Sequence, residues 1–358
     1  MVKILVLNSS PRGEKLSVTK TLLSYLIEGM SVSNAHIKLV NLYDKKIQNC
    51  TGCSNCNTVS PGKCCIKDDM TEELLPEFIS SDVVVLGSPV YFGNVNAVMK
   101  TFIDRLYPFL DSRQEVLEGR HNHPYRGKMP SVVVVSAAGW HENVAFQFIS
   151  SYFRHVFRGN IVGELYRGSS NTFMFCDSFR EKREEIFEGA RAAGREIAEN
   201  GSISERISQI VSQPIEELEK VVDIYNMFIS SCMYKKLNFS QWVETGRFIW
   251  PGSIRDFITM MSLSFNSEAA NKENISIQFV FTGQVSGECY INVKEGKFEA
   301  AEGTRANPDV TITVPLEMWI EIMHGRLNSQ QLLMQGKYSV RGDLAVLVKM
   351  GSVFNPNR

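Results

Sequence analysis

The chain has 358 residues, of which 44% are hydrophobic and 22% are charged, a balance typical of a globular protein large enough for two domains. Its net charge of −1 gives no electrostatic reason to expect nucleic acid or an anionic membrane as a partner. The apolar run at the N-terminus is too short for a signal peptide, and no stretch approaches the roughly 20 apolar residues of a membrane span, so we expect a cytoplasmic protein with no membrane span.

Strands and helices alternate along the first 200 residues. Strands are predicted at 2–7, 36–42, 83–87, 131–136 and 161–166, and helices at 17–30, 94–110, 141–157 and 178–200. The third strand is rich in β-branched residues, as expected for a strand that is buried on both faces. The alternation predicts an α/β fold with a doubly wound, five-stranded parallel sheet and helices on both faces.

The predicted secondary structure changes twice in the rest of the chain. Residues 201–259 are predicted to form a helical bridge, because helical periodicity continues without a glycine-rich linker. Residues 260–358 are predicted to form a separate α+β domain. Its strands are expected at 275–281, 290–293, 298–300, 310–314 and 337–341, with helices that begin at Pro315, at Ser329 and after Asp343. The predicted divisions are therefore 1–200, 201–259 and 260–358.

The first predicted strand leads into a hydroxyl-rich loop, Asn-Ser-Ser-Pro-Arg-Gly at 8–13, and then into a helix. The N–H groups and the dipole at a helix N-terminus attract anions, and nearby hydroxyl groups can donate further hydrogen bonds. A solvated loop with serine helix caps is the alternative. The candidate phosphate-binding residues are Ser9, Ser10, Arg12, Ser17 and Thr19.

The third predicted strand ends in Gly-Ser-Pro-Val-Tyr-Phe-Gly-Asn at 87–94, and the fourth in Ser-Ala-Ala-Gly-Trp at 136–140. With the first loop, these segments resemble the NADPH-dependent FMN reductase family over roughly residues 1–200. The resemblance implies a flavodoxin-like fold, with the FMN phosphate in the first loop and the flavin ring between the other two. It places these residues at the cofactor: Pro89, Val90, Tyr91, Phe92, Gly93, Asn94, Ser136, Ala137, Gly139 and Trp140.

The same resemblance implies NAD(P)H as the reductant, with the choice between NADH and NADPH left open. FMN carries the hydride chemistry itself, so no catalytic acid–base residue is predicted. Ordinary packing is the alternative for the aromatic side chains of Tyr91, Phe92 and Trp140.

Five of the eight cysteines fall between residues 50 and 65. Four thiolates at this close spacing can bind one [4Fe–4S] cluster, whereas zinc sites more often use two separated pairs. The segment resembles the cysteine motif of the iron–sulfur flavoproteins. The candidate ligands are Cys50, Cys53, Cys56 and Cys64. A thiol-rich loop near the flavin or at a subunit interface is the alternative.

Residues from about 260 to 355 resemble the sterol carrier protein 2 (SCP-2) family, on Ile-Gln-Phe-Val-Phe-Thr-Gly at 277–283 and Gly-Lys-Tyr-Ser-Val-Arg-Gly-Asp at 336–343. The resemblance implies a twisted sheet covered by helices around an apolar tunnel for lipid-like ligands. The candidates for lining such a tunnel, or for filling a core instead, are Trp319, Ile322, Met323, Leu332, Leu333 and Met334.

Three functions remain open at this point. The first is an FMN-dependent NAD(P)H oxidoreductase that passes electrons to a small-molecule or protein acceptor. The second is an electron carrier with FMN and a [4Fe–4S] cluster, and the third is a binding protein for an apolar ligand. The resemblance to flavoproteins also implies a homodimer or a higher homo-oligomer.

Overall fold

The computed structural model describes residues 2–32, 35–117, 119–141 and 144–354. The chain folds into two compact units. The first comprises Met1–Met174 and Phe179–Ile215, and the second comprises Phe175–Ser178 and Glu216–Arg358. The helical bridge predicted at 201–259 is thus divided between the two units, and its bounds remain a prediction.

The first part of the chain alternates between strands and helices as predicted. Its elements are β1 (Val2–Asn8), α1 (Val18–Met30), β2 (Ala35–Asn41), α2 (Leu75–Ser80), β3 (Val83–Tyr91), β4 (Asn94–Val95), α3 (Ala97–Asp104), β5 (Glu115–Leu117), β6 (Arg120–Asn122), β7 (Ser131–Ala137), α4 (Val144–Phe157), β8 (Ile161–Arg167), α5 (Ser170–Phe175), α6 (Arg180–Asn200) and α7 (Glu205–Ser212).

Several parts of this region differ from the sequence prediction. Helices α2 and α5 and the small β5–β6 hairpin were not predicted. The helix predicted at 94–110 is shorter, because β4 first pairs back onto β3 and α3 ends at Asp104. The helix predicted at 141–157 includes residues 142–143, which lie outside the described residues.

The central sheet confirms the predicted α/β fold. Its five main strands are all parallel in the order β2-β1-β3-β7-β8, which is the flavodoxin-like order. Asn8 at the end of β1 pairs with Gly87 of β3, and Gly87 pairs with Val135 of β7. The register therefore brings the carboxyl ends of β1, β3 and β7 side by side, at the point where strand order reverses and ligands bind in such sheets.

Helices α1 and α6 pack unusually closely on one face of this sheet. A Cβ atom on Gly29 would lie 1.9 Å from the carbonyl oxygen of Arg191, and one on Gly194 would lie 2.0 Å from that of Leu26. Both distances are far inside van der Waals contact, so only glycine permits this approach. The close packing against α6 fixes the position of α1, and the N-terminus of α1 faces the carboxyl ends of the strands.

The second unit contains a helical segment and a mixed sheet. Its remaining elements are α8 (Leu218–Lys235), α9 (Phe239–Glu244), α10 (Ile254–Ser264), β9 (Asn274–Thr282), β10 (Gly287–Lys294), β11 (Lys297–Glu302), β12 (Val310–Pro315), α11 (Leu316–Met323), α12 (Ser329–Met334), β13 (Ser339–Gly342) and α13 (Ala345–Val353). Among the described residues, no helix is both long enough and apolar enough to cross a membrane.

The sheet of the second unit has the order β11-β10-β9-β12-β13, in which only the β9–β12 pair is parallel. The α+β architecture predicted for this region is thereby confirmed. Pro315 was expected in the first turn of a helix, but it ends β12 and precedes α11. The core of this unit is aromatic, with Phe257 of α10 packed edge-on against Phe279 and Phe281 of β9.

Candidate functional site

A cleft opens at the carboxyl ends of the central strands, and its polar side is formed by the loop after β1 and the first turn of α1. Four of the predicted phosphate-binding residues line it, namely Ser10, Arg12, Ser17 and Thr19. Ser17 caps α1: its hydroxyl accepts a hydrogen bond from the Lys20 N–H at 3.1 Å and donates one to Ser10 Oγ at 2.7 Å. The hydroxyl groups are therefore held in place before any ligand binds.

The electrostatics of this side favour an anion. The N–H groups of Val18 and Thr19 stand in the first turn of α1, where backbone donors have no partner within the helix. Arg12 is exposed and donates a hydrogen bond to Asn171 Oδ1 at 3.2 Å, and it forms no ion pair with a carboxylate of the described chain. A free cation beside a helix N-terminus is a suitable site for a phosphate group.

Two further predicted residues lie beneath the cleft rather than along it. Ser9 is fully buried, and its hydroxyl donates to the carbonyl of Gly87 at 3.1 Å. Ser136 is also fully buried and donates to the carbonyl of Ser88 at 2.6 Å. Asn96, at the start of α3, donates to the carbonyl of Ser9. These bonds tie the strand ends together and so fix the shape of the cleft.

The apolar side of the cleft comes from the ends of β3 and β7. The residues there are Pro89, Val90, Tyr91, Ala137 and Gly139, all of which were predicted at the cofactor. Tyr91 is 43% exposed, so its ring is available to a ligand. The cleft is small, with a volume of about 90 Å³, and it is open to solvent. It can therefore surround the phosphate end of a ligand, while the rest would lie along the exposed apolar side.

Four predicted contacts lie outside the cleft lining, namely Phe92, Gly93, Asn94 and Trp140. Phe92 and Gly93 form the two-residue turn between β3 and β4, with φ of 50° and 83°. Positive φ at both central positions is typical of a type I′ hairpin turn, which glycine adopts freely and phenylalanine only at a cost. Phe92 is fully exposed, and Trp140 is 64% exposed. Their contacts with a cofactor remain predictions.

The first turn of α5, which closely follows β8, supplies two cleft residues that the sequence analysis did not single out, Ser170 and Asn171. The Ser170 N–H donates to the carbonyl of Ala138 at 2.9 Å, so the start of α5 is bonded to the loop after β7. That bond brings Asn171 to Arg12. The signal was present in the sequence, because these residues follow a predicted strand at its carboxyl end as the loops after β1, β3 and β7 do.

The cysteine segment, residues 50–65, forms a second candidate site in the first unit. All five of its cysteines line one cavity of about 340 Å³: Cys50, Cys53, Cys56, Cys64 and Cys65. Five thiols around one cavity are a suitable donor set for an iron–sulfur cluster, which needs four. Within the described ranges, no group of three or more His, Cys, Asp or Glu side chains is placed to hold a single metal ion. The ligand set therefore remains a prediction.

The thiols of this segment differ in their surroundings. Cys53 and Cys65 are exposed, and their sulfur atoms lie 3.6 Å apart. Hydrogen bonds from the backbone of Asn55 and from the side chains of Cys65 and Thr51 lower the pKa of Cys53. Burial raises the pKa of Cys56.

A buried ion pair anchors the cysteine segment. Arg105, at the end of α3, is 2% exposed and binds both carboxylate oxygens of Asp68 at 2.7 and 3.0 Å. The same guanidinium donates to the carbonyl of Gln48 at 2.7 Å and approaches Cys64 Sγ at 3.5 Å. Arg105 therefore joins the residues that flank the segment on both sides, Gln48 and Asp68, to the end of α3. Sequence analysis assigned it no role, because its partners are distant in sequence.

The ion pair also shifts the pKa values of Asp68 and Arg105. Burial works to raise the pKa of Asp68, but hydrogen bonds from Arg105 and from the Gln48 N–H outweigh burial and lower it. Burial works to lower the pKa of Arg105, and the bonds to Asp68 raise it. Both groups are therefore charged at neutral pH. The buried Nε of Arg105 has no hydrogen-bond partner within the described residues.

The residues predicted to line an apolar tunnel in the second unit divide between core and surface. Trp319 is 6% exposed and packs against Phe279 with ring centroids 5.5 Å apart, whereas Met334 is 88% exposed. A cavity of about 480 Å³ lies elsewhere in this unit, and Trp242, Phe248, Met260 and His324 are among its lining residues.

Comparison with known proteins gives one family for each region. Residues 2–171 match the NADPH-dependent FMN reductase family, and residues 266–355 match the SCP-2 sterol transfer family. Both matches confirm the resemblances found in the sequence. They also agree with FMN as the cofactor class and NAD(P)H as the reductant class.

Among curated proteins, an iron-sulfur flavoprotein of Archaeoglobus fulgidus is 38% identical over 136 residues, which cover 38% of this chain and 56% of that protein. An iron-sulfur flavoprotein of Methanocaldococcus jannaschii is 35% identical over 107 residues, covering 30% and 53%. The chain thus spans about half the length of these relatives. Among solved structures, an FMN-dependent NADH-azoreductase from Bacillus anthracis aligns with 55% of this chain and 100% of its own, at 16% identity and a TM-score of 0.43.

Proposed function

Because residues 2–171 match the NADPH-dependent FMN reductase family and residues 266–355 match the SCP-2 sterol transfer family, we propose that this chain is an FMN-dependent NAD(P)H oxidoreductase with an appended SCP-2 domain. The observation that carries the proposal is the meeting of three strand-end loops and the start of α5 at one cleft. One side of that cleft is built for an anion, and the other is apolar and open.

The chain's own residues hold and orient the cofactor in this proposal. Ser10, Ser17 and Thr19, with the first N–H groups of α1, would bind the phosphate, and Arg12 would neutralise part of its charge. Pro89, Val90 and Tyr91 would lie along the isoalloxazine ring; Ala137 and Gly139 would face it from the loop after β7.

Bound FMN supplies hydride and single-electron chemistry. The protein then needs no general acid or base at this site. Its contribution is to fix the flavin through the buried hydrogen bonds of Ser9 and Ser136 and to leave one side open for the nicotinamide and the acceptor. The acceptor is proposed only as a class, a small molecule or a redox protein.

The visible spectrum of the anaerobically prepared protein tests this proposal. We expect flavin absorbance from bound or added FMN, and rapid bleaching on addition of NADPH or NADH. The variant Ser17→Ala should bind FMN more weakly, because it alters the cleft. Its matched control is Ser24→Ala, on the exposed side of α1, the helix that Ser17 caps. A protein without flavin that also fails to bind added FMN would contradict the proposal.

An iron–sulfur electron carrier is the second candidate, favoured by the five thiols around one cavity and by the names of the curated relatives. Here Cys50, Cys53, Cys56 and Cys64 would hold a [4Fe–4S] cluster. The protein would then contain about four iron and four acid-labile sulfide per subunit. We expect Cys64→Ser to lose both, while Cys289→Ser, at a buried cysteine of β10, retains them. A full complement of iron in Cys64→Ser would contradict the ligand assignment.

The match of residues 266–355 to the SCP-2 sterol transfer family supports binding of an apolar ligand by the second unit. The cavity of about 480 Å³ adds no support, because its lining includes the charged side chains of Asp177, Arg247 and Arg326. Organic extraction of the purified protein and mass spectrometry of the extract test this role. We expect a lipid-like molecule in stoichiometric amount, and its absence together with no uptake of a fluorescent fatty acid would contradict the role.

A homodimer is proposed on the small volume of the cleft, which leaves much of a flavin uncovered in one subunit. Light-scattering mass measurement with and without FMN tests this assembly. We expect twice the subunit mass of 40.4 kDa, and a monomer in both conditions would contradict the proposal.

A further inference from the structure

We propose that Cys53 and Cys65 form a redox-active dithiol that closes to a disulfide when the cysteine segment holds no cluster. Their sulfur atoms lie 3.6 Å apart although the residues are 12 positions apart in sequence. Both thiols are exposed, whereas Cys56 and Cys64 are half-buried. Cys65 is also the one cysteine of the segment outside the predicted ligand set, so cluster binding does not account for its position.

The backbone around Cys53 explains how the two thiols meet. Gly52 and Ser54 flank it with φ of 66° and 58°, both in the left-handed region. Ser54 is not a glycine, so its conformation is uncommon and is imposed by the surrounding turn. Cys53 thus lies within a sharp reversal of the chain, and its sulfur stands beside that of Cys65.

Closing the bond requires little movement. A disulfide has a sulfur–sulfur distance of about 2.05 Å, so the two atoms need to approach by about 1.5 Å. Residues 49–54, which contain Cys53, form no helix or strand, and neither do residues 63–68 around Cys65. The required shift therefore breaks no secondary-structure hydrogen bond.

The oxidant in this proposal is a low-molecular-weight disulfide such as oxidised glutathione. One protein sulfur attacks it, forming a mixed disulfide and releasing one thiol. The second protein sulfur then attacks the mixed disulfide, forming the Cys53–Cys65 bond and releasing the other thiol. Two protein thiols are oxidised, one disulfide is reduced to two thiols, and the two protein protons pass to the released thiols.

The dithiol and the proposed cluster exclude one another, because Cys53 belongs to both. A disulfide removes Cys53 from the predicted ligands, and a bound cluster removes it from the pair. The exclusion rests on the proposed cluster, but the dithiol depends on neither the cluster nor FMN. The disulfide would thus form only in a segment that holds no cluster.

Peptide mapping of the full chain tests the pair. The protein is prepared without iron, treated with oxidised glutathione, blocked with N-ethylmaleimide and cleaved with trypsin. Cleavage after Lys46, Lys63 and Lys67 separates residues 47–63, which contain Cys53, from residues 64–67, which contain Cys65. We expect these two peptides to be joined by one disulfide and to separate on reduction.

Single serine variants identify the two partners. We expect the joined peptides to be lost in Cys53→Ser and in Cys65→Ser, and to persist in the matched controls Cys50→Ser, Cys56→Ser and Cys64→Ser. Persistence in Cys53→Ser or in Cys65→Ser overturns the proposal. So does a wild-type protein that carries only separate glutathione adducts.

Iron content separates this proposal from the cluster proposal. In iron-reconstituted protein, we expect Cys65→Ser to retain the iron and sulfide of the wild type. Loss of both in Cys65→Ser, with retention in Cys64→Ser, would make Cys65 a ligand and overturn the dithiol. A wild type that binds no iron contradicts the cluster alone, because the joined peptides are measured without iron.

Discussion

The cleft and the cysteine segment belong to the same compact unit, yet they are held in different ways. The cleft is held by the sheet: its serine hydroxyls are buried, and Ser9 and Ser136 bond to the backbone of β3. The cysteine segment lies outside the regular elements and has three of its five thiols exposed. The residues that flank it are anchored by the buried ion pair between Arg105 and Asp68 and by a few side-chain bonds, such as that from Thr101 to Asn49.

The contrast shows two ways to prepare a site for a cofactor. Many weak backbone bonds, each worth about 1 kcal/mol, make the cleft tolerant of single changes and ready before the ligand arrives. A segment whose flanks are joined by a buried ion pair is sensitive to the loss of either partner, because the other charge is then left buried and unpaired. The four predictions below test this difference, from the largest expected effect to the smallest.

Arg105→Ala should cause the greatest loss of stability. It leaves the carboxylate of Asp68 buried without a partner, and breaking a buried ion pair from one side costs about 3–5 kcal/mol. Urea unfolding measures the loss. The control is Lys100→Ala, on the same helix, whose exposed ion pair with Asp104 should contribute at most about 0.5 kcal/mol. Equal effects of the two variants would show that the segment has no special anchor.

Asp68→Asn should reduce stability by about 2 kcal/mol near neutral pH, the scale known for a salt-bridged carboxylate. Because the pKa of Asp68 is lower in the folded state, its contribution is present above the unfolded pKa of about 3.9 and is lost as the pH falls through the folded value. Wild type and variant should therefore converge in acid. Unfolding between about pH 3 and 7 measures this, with Asp104→Asn as the exposed control. A difference that does not change with pH would contradict the assignment.

Ser17→Ala should weaken FMN binding about tenfold, equivalent to about 1.4 kcal/mol, because the hydroxyl positions Ser10 and caps the helix that faces the phosphate. Loss of the cap should also lower stability by about 1 kcal/mol. Flavin fluorescence titration measures the affinity, with Ser24→Ala as the control. FMN affinity equal to that of the wild type would place the phosphate elsewhere.

Phe92→Asn should have the smallest effect, a gain in stability of about 0.5 kcal/mol. Asparagine adopts positive φ more readily than phenylalanine does, and the ring of Phe92 is fully exposed. Thermal unfolding measures the gain. A parallel FMN titration tests the predicted flavin contact, since a loss of affinity beyond tenfold would support contact and an unchanged affinity would oppose it.

Much of the fold could be predicted from local sequence. The strands at β1, β3 and β7 and the helices α1 and α6 follow from runs of apolar residues and from helical periodicity. Helix α2 was missed because it is short, continues from a π-helical turn at Met70–Leu74 and has no capping side chain of its own. The small β5–β6 hairpin was missed because its strands are only three residues long and all the side chains of β5 are exposed, so no apolar alternation marks it.

The candidate sites could be predicted in part, because the position of a loop can be read from the sequence while the direction of its side chains cannot. A loop after a predicted strand can be read from the chain, and nine of the predicted cofactor residues do line the cleft, from Ser10 to Gly139. Whether a loop residue faces the ligand or braces the loop depends on its side-chain direction, which local sequence does not give. The hydroxyls of Ser9 and Ser136 donate to carbonyls of β3, and their contacts with a cofactor remain predictions.

The sequence by itself determined which segments are strands, which loops carry hydroxyl groups and thiols, and which families the two regions resemble, because these properties depend on neighbouring residues. Only the tertiary structure decided that Asn171 reaches Arg12, that Arg105 is buried with Asp68, and that Cys53 faces Cys65. Each of those pairs joins residues from different loops or elements. Their proximity follows from strand register and packing, which no local pattern encodes.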